Sequence, residues 1–194
     1  MGRISLVVLA IAMLASTAVA QGQGSEITAG YSYLSADGGD AGRVGMNGWN
    51  TGGTIFLNDT WGIEGNFGNV WHTESVSVPG ASGEAKVKNY TYLFGPRFDF
   101  GKGSRMNPYF HGLLGFDRLS AETSTTIGGV TTDISASDTG FATALGGGVV
   151  FGMSKHMGLN FGGDYLMARH GITQHNFRMS AGVVFRFGGA AWGK

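Results

Sequence analysis

The chain has no cysteine, so neither a disulfide framework nor a thiolate metal site is available to it. Charge is also scarce. Only 13% of the residues are charged, about half the usual share for a soluble domain. They divide into 13 basic and 13 acidic residues. Without a basic surface to release counterions, nucleic acid is excluded as a partner. Proline is rare, with 3 residues, and beyond the N-terminal segment no apolar run is long enough for a membrane helix. Glycine is what the chain has in abundance. Its 36 copies follow no three-residue period, which excludes collagen, and they stand between aromatics as in barrels where backbones crowd together. At 194 residues the chain is one domain's worth, with no internal repeat or second domain visible.

Residues 1–20, MGRISLVVLAIAMLASTAVA, have the three parts of a secretory signal peptide. Arg3 is the basic start, Ile4 to Ala15 the apolar core, and Ala18-Val19-Ala20 a small-residue site that predicts cleavage between Ala20 and Gln21. The apolar core is shorter than the ~20 residues a membrane helix needs. Loss of Arg3 leaves 13 − 1 = 12 basic against 13 acidic residues, still close to neutral. The mature domain is then 21–194.

Along that domain a two-residue period recurs and a helical period never does. NYTYLFGPRFDF sets Tyr90, Tyr92, Phe94, Pro96, Phe98 and Phe100 on one face, with Asn89, Thr91, Gly95, Arg97 and Asp99 on the other. EITAGYSYL, GWNTGGTIFL, WGIEGNF, PYFHGLLGFD, FATALGGGVVF, GLNFGGDYLMA and the final FRMSAGVVFRF alternate in the same way. That makes about eight strands, an even number that suits closure of an antiparallel meander. Short polar turns at Asn58–Thr60, 101–107 and 153–157 alternate with longer segments at 37–46, 72–87 and 120–138 and a shorter one at 170–174. The longer segments are expected to be loops, and the Ser/Thr/Gly-rich 120–138 to be disordered. Tight turns at one end and long loops at the other mark an up-and-down membrane barrel.

Alternation alone does not say which face is inside. A soluble sandwich buries its apolar face, and a membrane barrel turns it outward. Here the polar face is mostly Gly, Ala, Ser, Thr and Asn with isolated Glu64, Arg97, Asp164, Arg178 and Arg186, whereas a water-facing surface would carry many Lys and Glu. Small residues with a few opposite charges suit a narrow lumen. Trp49, Trp61, Tyr90, Phe100, Tyr109, Phe151, Tyr165 and Phe187 suit interfacial girdles. The fold expected is therefore all-β: an eight-stranded antiparallel up-and-down transmembrane β-barrel behind a signal peptide.

Over residues 26–187, in strand rhythm and in segments such as GWNTGGT, PYFHGLLG and ALGGGVVFGMSKHMGLNFGGDYLMAR, the chain resembles the OmpA/OmpX-type small outer-membrane barrels. These make up the outer membrane protein beta-barrel domain family of Gram-negative bacteria. The final strand is similar to the family's C-terminal assembly signal, on Phe177, Met179, Val183, Phe185 and Phe187. One departure is the tail Gly188–Lys194, so that either Phe187 or Trp192 takes the terminal role. The resemblance implies an outer-membrane location among lipids including lipopolysaccharide, with delivery by periplasmic chaperones and the barrel-assembly machinery. It further implies a monomer without a cofactor and a non-enzymatic role in membrane integrity or surface adhesion.

Glu64 and Asp164 are expected to form a lumen network with Arg97, Arg178 and Arg186, because charges buried in a narrow barrel must pair. Such a network is either a rigid polar core or a gate in an ion path. A rim hydrolase is a further alternative. His72, His170 and His175 are expected in the outer loops with Asp37, Asp40, Asp133 and Asp138, where an acid–base set or a His170/His175 metal site could assemble. No His is followed two residues later by Ser, as deacylase barrels require. His111 is expected to hydrogen-bond in the lumen, and His156 to lie in a turn.

Overall fold

The computed structural model describes residues 24–39, 42–79, 81–101, 104–127, 129–189 and 192. The signal peptide expected over 1–20, with its Ala20/Gln21 boundary, lies outside these residues. Eight strands are described: β1 (Ser25–Asp37), β2 (Arg43–Phe56), β3 (Trp61–Val78), β4 (Ala81–Asp99), β5 (Met106–Ile127), β6 (Val130–Gly152), β7 (Met157–His170) and β8 (Ile172–Phe187). Each pairs antiparallel with the next, and β8 pairs with β1, so the barrel closes.

The period of two decides which side chains go where. Outward positions carry exposed apolar groups such as Phe94, Phe116 and Met179, 59%, 61% and 67% exposed, while Arg97 and Asp99 on the same ladder are 3% and 2% exposed. An apolar outside around a polar inside is the inverse of a soluble barrel and suits a lipid surrounding. Aromatic contacts brace the outer band, with Phe67 between Trp49 and Tyr92 and with Trp61, Phe98 and Phe100 in series. Tyr109 departs from the girdle expected of it. It sits on the His111 side of β5 and is buried in the lumen, with its ring 4.0 Å from the Arg97 guanidinium carbon.

Side chains close the short turns. Asn58 Oδ1 accepts the amides of Thr60 and Trp61 at 2.9 and 2.8 Å, and Ser154 Oγ accepts that of Met157 at 3.1 Å. At the opposite end the β7–β8 link is the single residue Gly171, whose φ of 80° lies where side-chain-bearing residues are strained. The glycine run inside β6 has a packing cause. A Cβ on Gly146 would come within 2.3 Å of both the Gly163 carbonyl and Asp164 Oδ1, and one on Gly148 within 2.2 Å of the Phe161 carbonyl.

The long connections differ from expectation. Segments 72–87 and 120–138 are mostly strand, since β3 and β4 meet at Val78 and Ala81 and β5 and β6 run to Ile127 and from Val130, whereas 37–46 keeps a connection between Asp37 and Arg43. The expected disorder at 120–138 is replaced by a paired hairpin. Polar cross-strand contacts replace burial there as the source of order. Thr126 and Thr131 hydroxyls meet at 2.9 Å, Ser124 Oγ donates to Asp133 Oδ1 at 2.6 Å, and Lys88 Nζ reaches Glu122 Oε1 at 2.8 Å. Asp37, at the β1–β2 tip, accepts the amides of Gly39 and His175, and these bonds hold its carboxyl below the ordinary carboxylate range.

A strand of roughly 9–11 residues crosses a bilayer. The 18, 19, 22 and 23 residues of β3 to β6 therefore run well beyond it. Above Trp71 on β3 and Phe141 on β6 these four strands form ladders only with one another, as a sheet that rises beyond the shorter β1, β2, β7 and β8.

Candidate functional site

The described chain offers two candidate regions, the filled lumen and the standing sheet. In the lumen, charged side chains form layers. Nearest the short turns, Glu26 on β1, Arg97 and Asp99 on β4 and Arg186 on β8 are all 3% exposed or less. Arg186 Nε donates to Glu26 Oε1 at 2.9 Å, and a second Arg186 nitrogen reaches the same oxygen. Arg97 Nη2 lies 3.2 Å from Glu26 Oε2, and its Nε and Nη2 donate to Asp99 at 3.0 Å each. Asn107 adds a bond to Asp99 Oδ1 at 2.7 Å. Among the described residues two guanidinium groups thus meet two carboxylates, and charges tolerate burial when they are paired in this way.

Trp192 closes this end of the barrel. It is 5% exposed, with Arg186 stacked 4.1 Å from its ring, and it lies against Gly152 and Gly158. A Cβ on Gly152 would come 2.4 Å from the Trp192 Cβ, so the seat exists because that position is glycine. Trp192 thus lies under the lumen, while Phe187 stays exposed on the outer face at 47%.

The next layer joins Glu64, His111, Asp164 and Arg178. His111 Nδ1 is 3.0 Å from Glu64 Oε2 and its Nε2 2.8 Å from Asp164 Oδ1. Each ring nitrogen of His111 thus faces a carboxylate oxygen, and the ring bridges β3 and β7. Arg178 Nε donates to Asp164 Oδ2 at 2.7 Å, and its Nη1 to Asn66 at 3.0 Å. A cavity of about 20 Å³ beside Glu64, Tyr109 and His111 has room for a single water. Above it lies an apolar layer of Leu34, Met46, Val70, Leu93, Leu113 and Leu166, each at most 5% exposed. Beyond that layer Asp117 accepts Asn89 Nδ2 at 2.7 Å and faces His170 Nε2 at 3.0 Å.

The five lumen residues expected to meet therefore fall into two groups. Glu64, Asp164 and Arg178 are brought together through His111, while Arg97 and Arg186 join Glu26 and Asp99 instead. Parity along the strands carries the signal for the members that were missed. Glu26 shares its face with Thr28, Asp99 with Arg97, and Asp117 with His111.

The histidines expected in the outer loops do not converge. His170 points inward onto Asp117, with its side chain 6% exposed. His175 points outward, its ring stacked on Tyr165 with Nδ1 2.5 Å from the phenol oxygen. His72 Nδ1 contacts the Gly45 carbonyl at 2.9 Å. Among the described residues no three His, Cys, Asp or Glu are grouped to hold a metal. The expected assembly residues Phe177, Met179, Val183, Phe185 and Phe187 all lie on the outward face of β8.

Comparison with known proteins gives one family and one fold. The profile described as "Outer membrane protein beta-barrel domain" matches residues 4–187. No curated protein sequence matches. Among solved structures, Ail of Yersinia pestis, the attachment invasion locus protein, in complex with the heparin analogue sucrose octasulfate, aligns with a TM-score of 0.61. The two are 22% identical, over 84% of this chain and 98% of Ail. OprG, an outer membrane protein from Pseudomonas aeruginosa, aligns at 0.52 with 15% identity, over 86% of this chain and 96% of its own.

Proposed function

Because the chain belongs to the outer membrane protein beta-barrel domain family and is a protein of the cell outer membrane, we propose that it is a non-enzymatic barrel. It supports membrane integrity and makes surface contacts through the sheet raised by β3 to β6. That sheet carries the reading. It stands beyond the aromatic band, its β3 and β6 edges are unpaired above Trp71 and Phe141, and its lumen-side face exposes Val76, Val130 and Ile134 at 68%, 71% and 68%. Unpaired edges and exposed apolar residues are features a partner can use. The shared fold with Ail, named for attachment and invasion, supports the reading by analogy.

The test is attachment. Bacteria carrying the full chain are expected to adhere to cultured host cells, and replacement of 121–136 by two glycines should reduce adhesion to that of bacteria lacking the protein. The shortened barrel should still show heat-modifiable gel migration, since only polar contacts above the membrane are lost. Undiminished adhesion of a folded, surface-exposed variant would sink the proposal.

Delivery completes the reading. Residues 1–20 are removed on export, periplasmic chaperones carry the chain, and the assembly machinery takes β8 by its outward apolar face with Phe187 as the terminal aromatic. The exposure of Phe187 on the outer face, beside a buried Trp192, supports that assignment.

A conducting lumen has less support. Ions would have to cross the apolar layer around Leu34, Leu113 and Leu166 and pass Trp192, and apolar constrictions exclude water. Planar bilayers holding the folded chain are therefore expected to show no unitary current, with Glu64→Ala equally silent. Steady conductance that changes in Glu64→Ala would favour the channel. A rim hydrolase also has less support, because among the described residues the buried His170 bonds to Asp117 and to no serine.

A further inference from the structure

The end of the barrel that bears the short turns faces the periplasm, as short turns do in outer-membrane barrels. The last exposed apolar side chains at this end are Ile27 on β1, Leu57 just after β2, Trp61 on β3, Phe100 just after β4 and Phe187 on β8. The three strand ends between β4 and β8 carry methionine instead: Met106 opens β5, Met153 follows β6 and Met157 opens β7, and all three are exposed. They are three of the 8 − 2 = 6 methionines that lie beyond residue 20. Met153 and Met157 close the β6–β7 hairpin directly beyond the Gly152–Gly158 pair, and the Met153 amide donates to the Met157 carbonyl at 2.9 Å. Met106 stands opposite Phe151, which makes it the diagonal neighbour of Met153. Opposite and diagonal positions of an antiparallel pair are both within reach of a long side chain. The turn itself, MSKHM, adds an exposed His156 beside Met157. Its backbone is held from several sides. Ser154 Oγ accepts the Met157 amide at 3.1 Å, the Gly152 amide donates to the Arg105 carbonyl at 2.8 Å, and the Arg186 amide donates to the His156 carbonyl at 2.8 Å.

We propose that Met106, Met153 and Met157, with His156, form a binding site for copper(I) on the periplasmic rim of the barrel. The site is independent of the surface contacts made at the opposite end. Thioether sulfur is a soft, neutral donor that selects copper(I), and imidazole also suits copper. Hard cations find no ligands here, because neither 104–106 nor 153–157 contains a carboxylate. Arg105 and Lys155 flank the methionines, and their repulsion of a divalent ion is double that of a univalent one at the same distance, which favours the univalent metal. A thioether has no proton to lose and forms no disulfide, so its donor capacity survives in an oxidising periplasm. Leucine or phenylalanine, as on the other strand ends, would face lipid equally well. What methionine adds at these three positions is a metal donor.

The test uses the full chain folded in detergent micelles, with its methionine methyl groups labelled for NMR and silver(I) as a redox-inert stand-in for the metal. Silver(I) should move the methyl resonances of Met106, Met153 and Met157 and leave those of Met167 and Met179, exposed farther up the barrel wall, in place. Affinity for copper(I) itself is read anaerobically, with ascorbate as reductant, by competition against a chromophoric copper(I) chelator. Met153→Leu with Met157→Leu keeps the volume and apolar character of the hairpin, so the barrel should fold as the parent does, which heat-modifiable migration verifies. This variant should bind copper(I) at least about tenfold more weakly, since even losing a hydrogen-bond partner of a metal ligand costs that much. His156→Gln should also weaken binding, whereas Met167→Leu with Met179→Leu should behave as the parent. Unchanged copper(I) affinity in the folded Met153/Met157 variant would overturn the proposal. So would equal movement of all exposed methionine methyls by silver(I), the mark of non-specific thioether contact, or tighter binding of zinc(II) than of copper(I), which would assign the site to His156 alone.

Discussion

Replacing Glu26 with alanine is expected to destabilise the barrel by about 3–5 kcal/mol, the loss that follows when one partner of a buried ion pair is removed. Glu26 is 1% exposed and is shared by Arg186 and Arg97, so its removal takes from both guanidinium groups the carboxylate that lies between them. Both arginines are buried, with Phe56 against each of them, Tyr109 against Arg97 and Trp192 against Arg186. Glu26→Gln keeps the shape and hydrogen-bonding atoms without the charge and should fall between alanine and the parent. The exposed pair Lys88–Glu122 supplies the control: Glu122→Ala should cost no more than about 1 kcal/mol. Urea titration of the detergent-folded protein, with folded and unfolded forms separated by gel migration, measures all three. A Glu26→Ala midpoint equal to that of Glu122→Ala would show that the lumen cluster contributes nothing to stability.

Trp192→Ala carries the second large effect, and its character is local. Truncation of a buried tryptophan costs roughly 3–5 kcal/mol when the surroundings do not collapse. Here the ring also stacks on Arg186, so the cation–π contact is lost with it. The loss is limited by the free energy that docks the tail, because the strands remain paired once the tail is released. Carboxypeptidase digestion reads that release directly. In the parent, trimming should stop at Trp192, whereas in the variant it should continue to the end of β8. Gly152→Val reaches the same state from the other side, because a Cβ there stands 2.4 Å from that of Trp192 and displaces the ring without altering it. Equal trimming of parent and both variants would show that Trp192 is not held in its seat.

Much of the architecture is already present in short stretches of chain. The face on which a strand residue lies depends on parity alone, so NYTYLFGPRFDF assigns Arg97 and Asp99 to one side and Phe94 and Phe100 to the other before any partner strand is known. The scarcity of long charged side chains on the polar face then identifies that face as the inside. Strand number, antiparallel order and the short turns at Asn58 and Ser154 follow from the same local signals. Where hydrophobic alternation fades, that reading falters. Ser120–Ile127 and Val130–Asp138 alternate in Thr, Ser and Ala, and their order comes from pairing with β4 and with each other.

What the sequence alone determined is therefore the barrel, its polarity from inside to outside and its membrane address, each of which rests on a period of two and on composition. Only the tertiary structure decided which charges meet. Glu26 and Arg186 are 160 positions apart in sequence and become neighbours only when β8 closes on β1. His111 reaches Glu64 on β3 and Asp164 on β7 across the lumen, a contact set by strand tilt and register. The inward turn of Tyr109 and the seat of Trp192 belong to the same class. Parity is a property of one strand, but a lumen contact is a property of the closed ring, and no local window of sequence contains the ring.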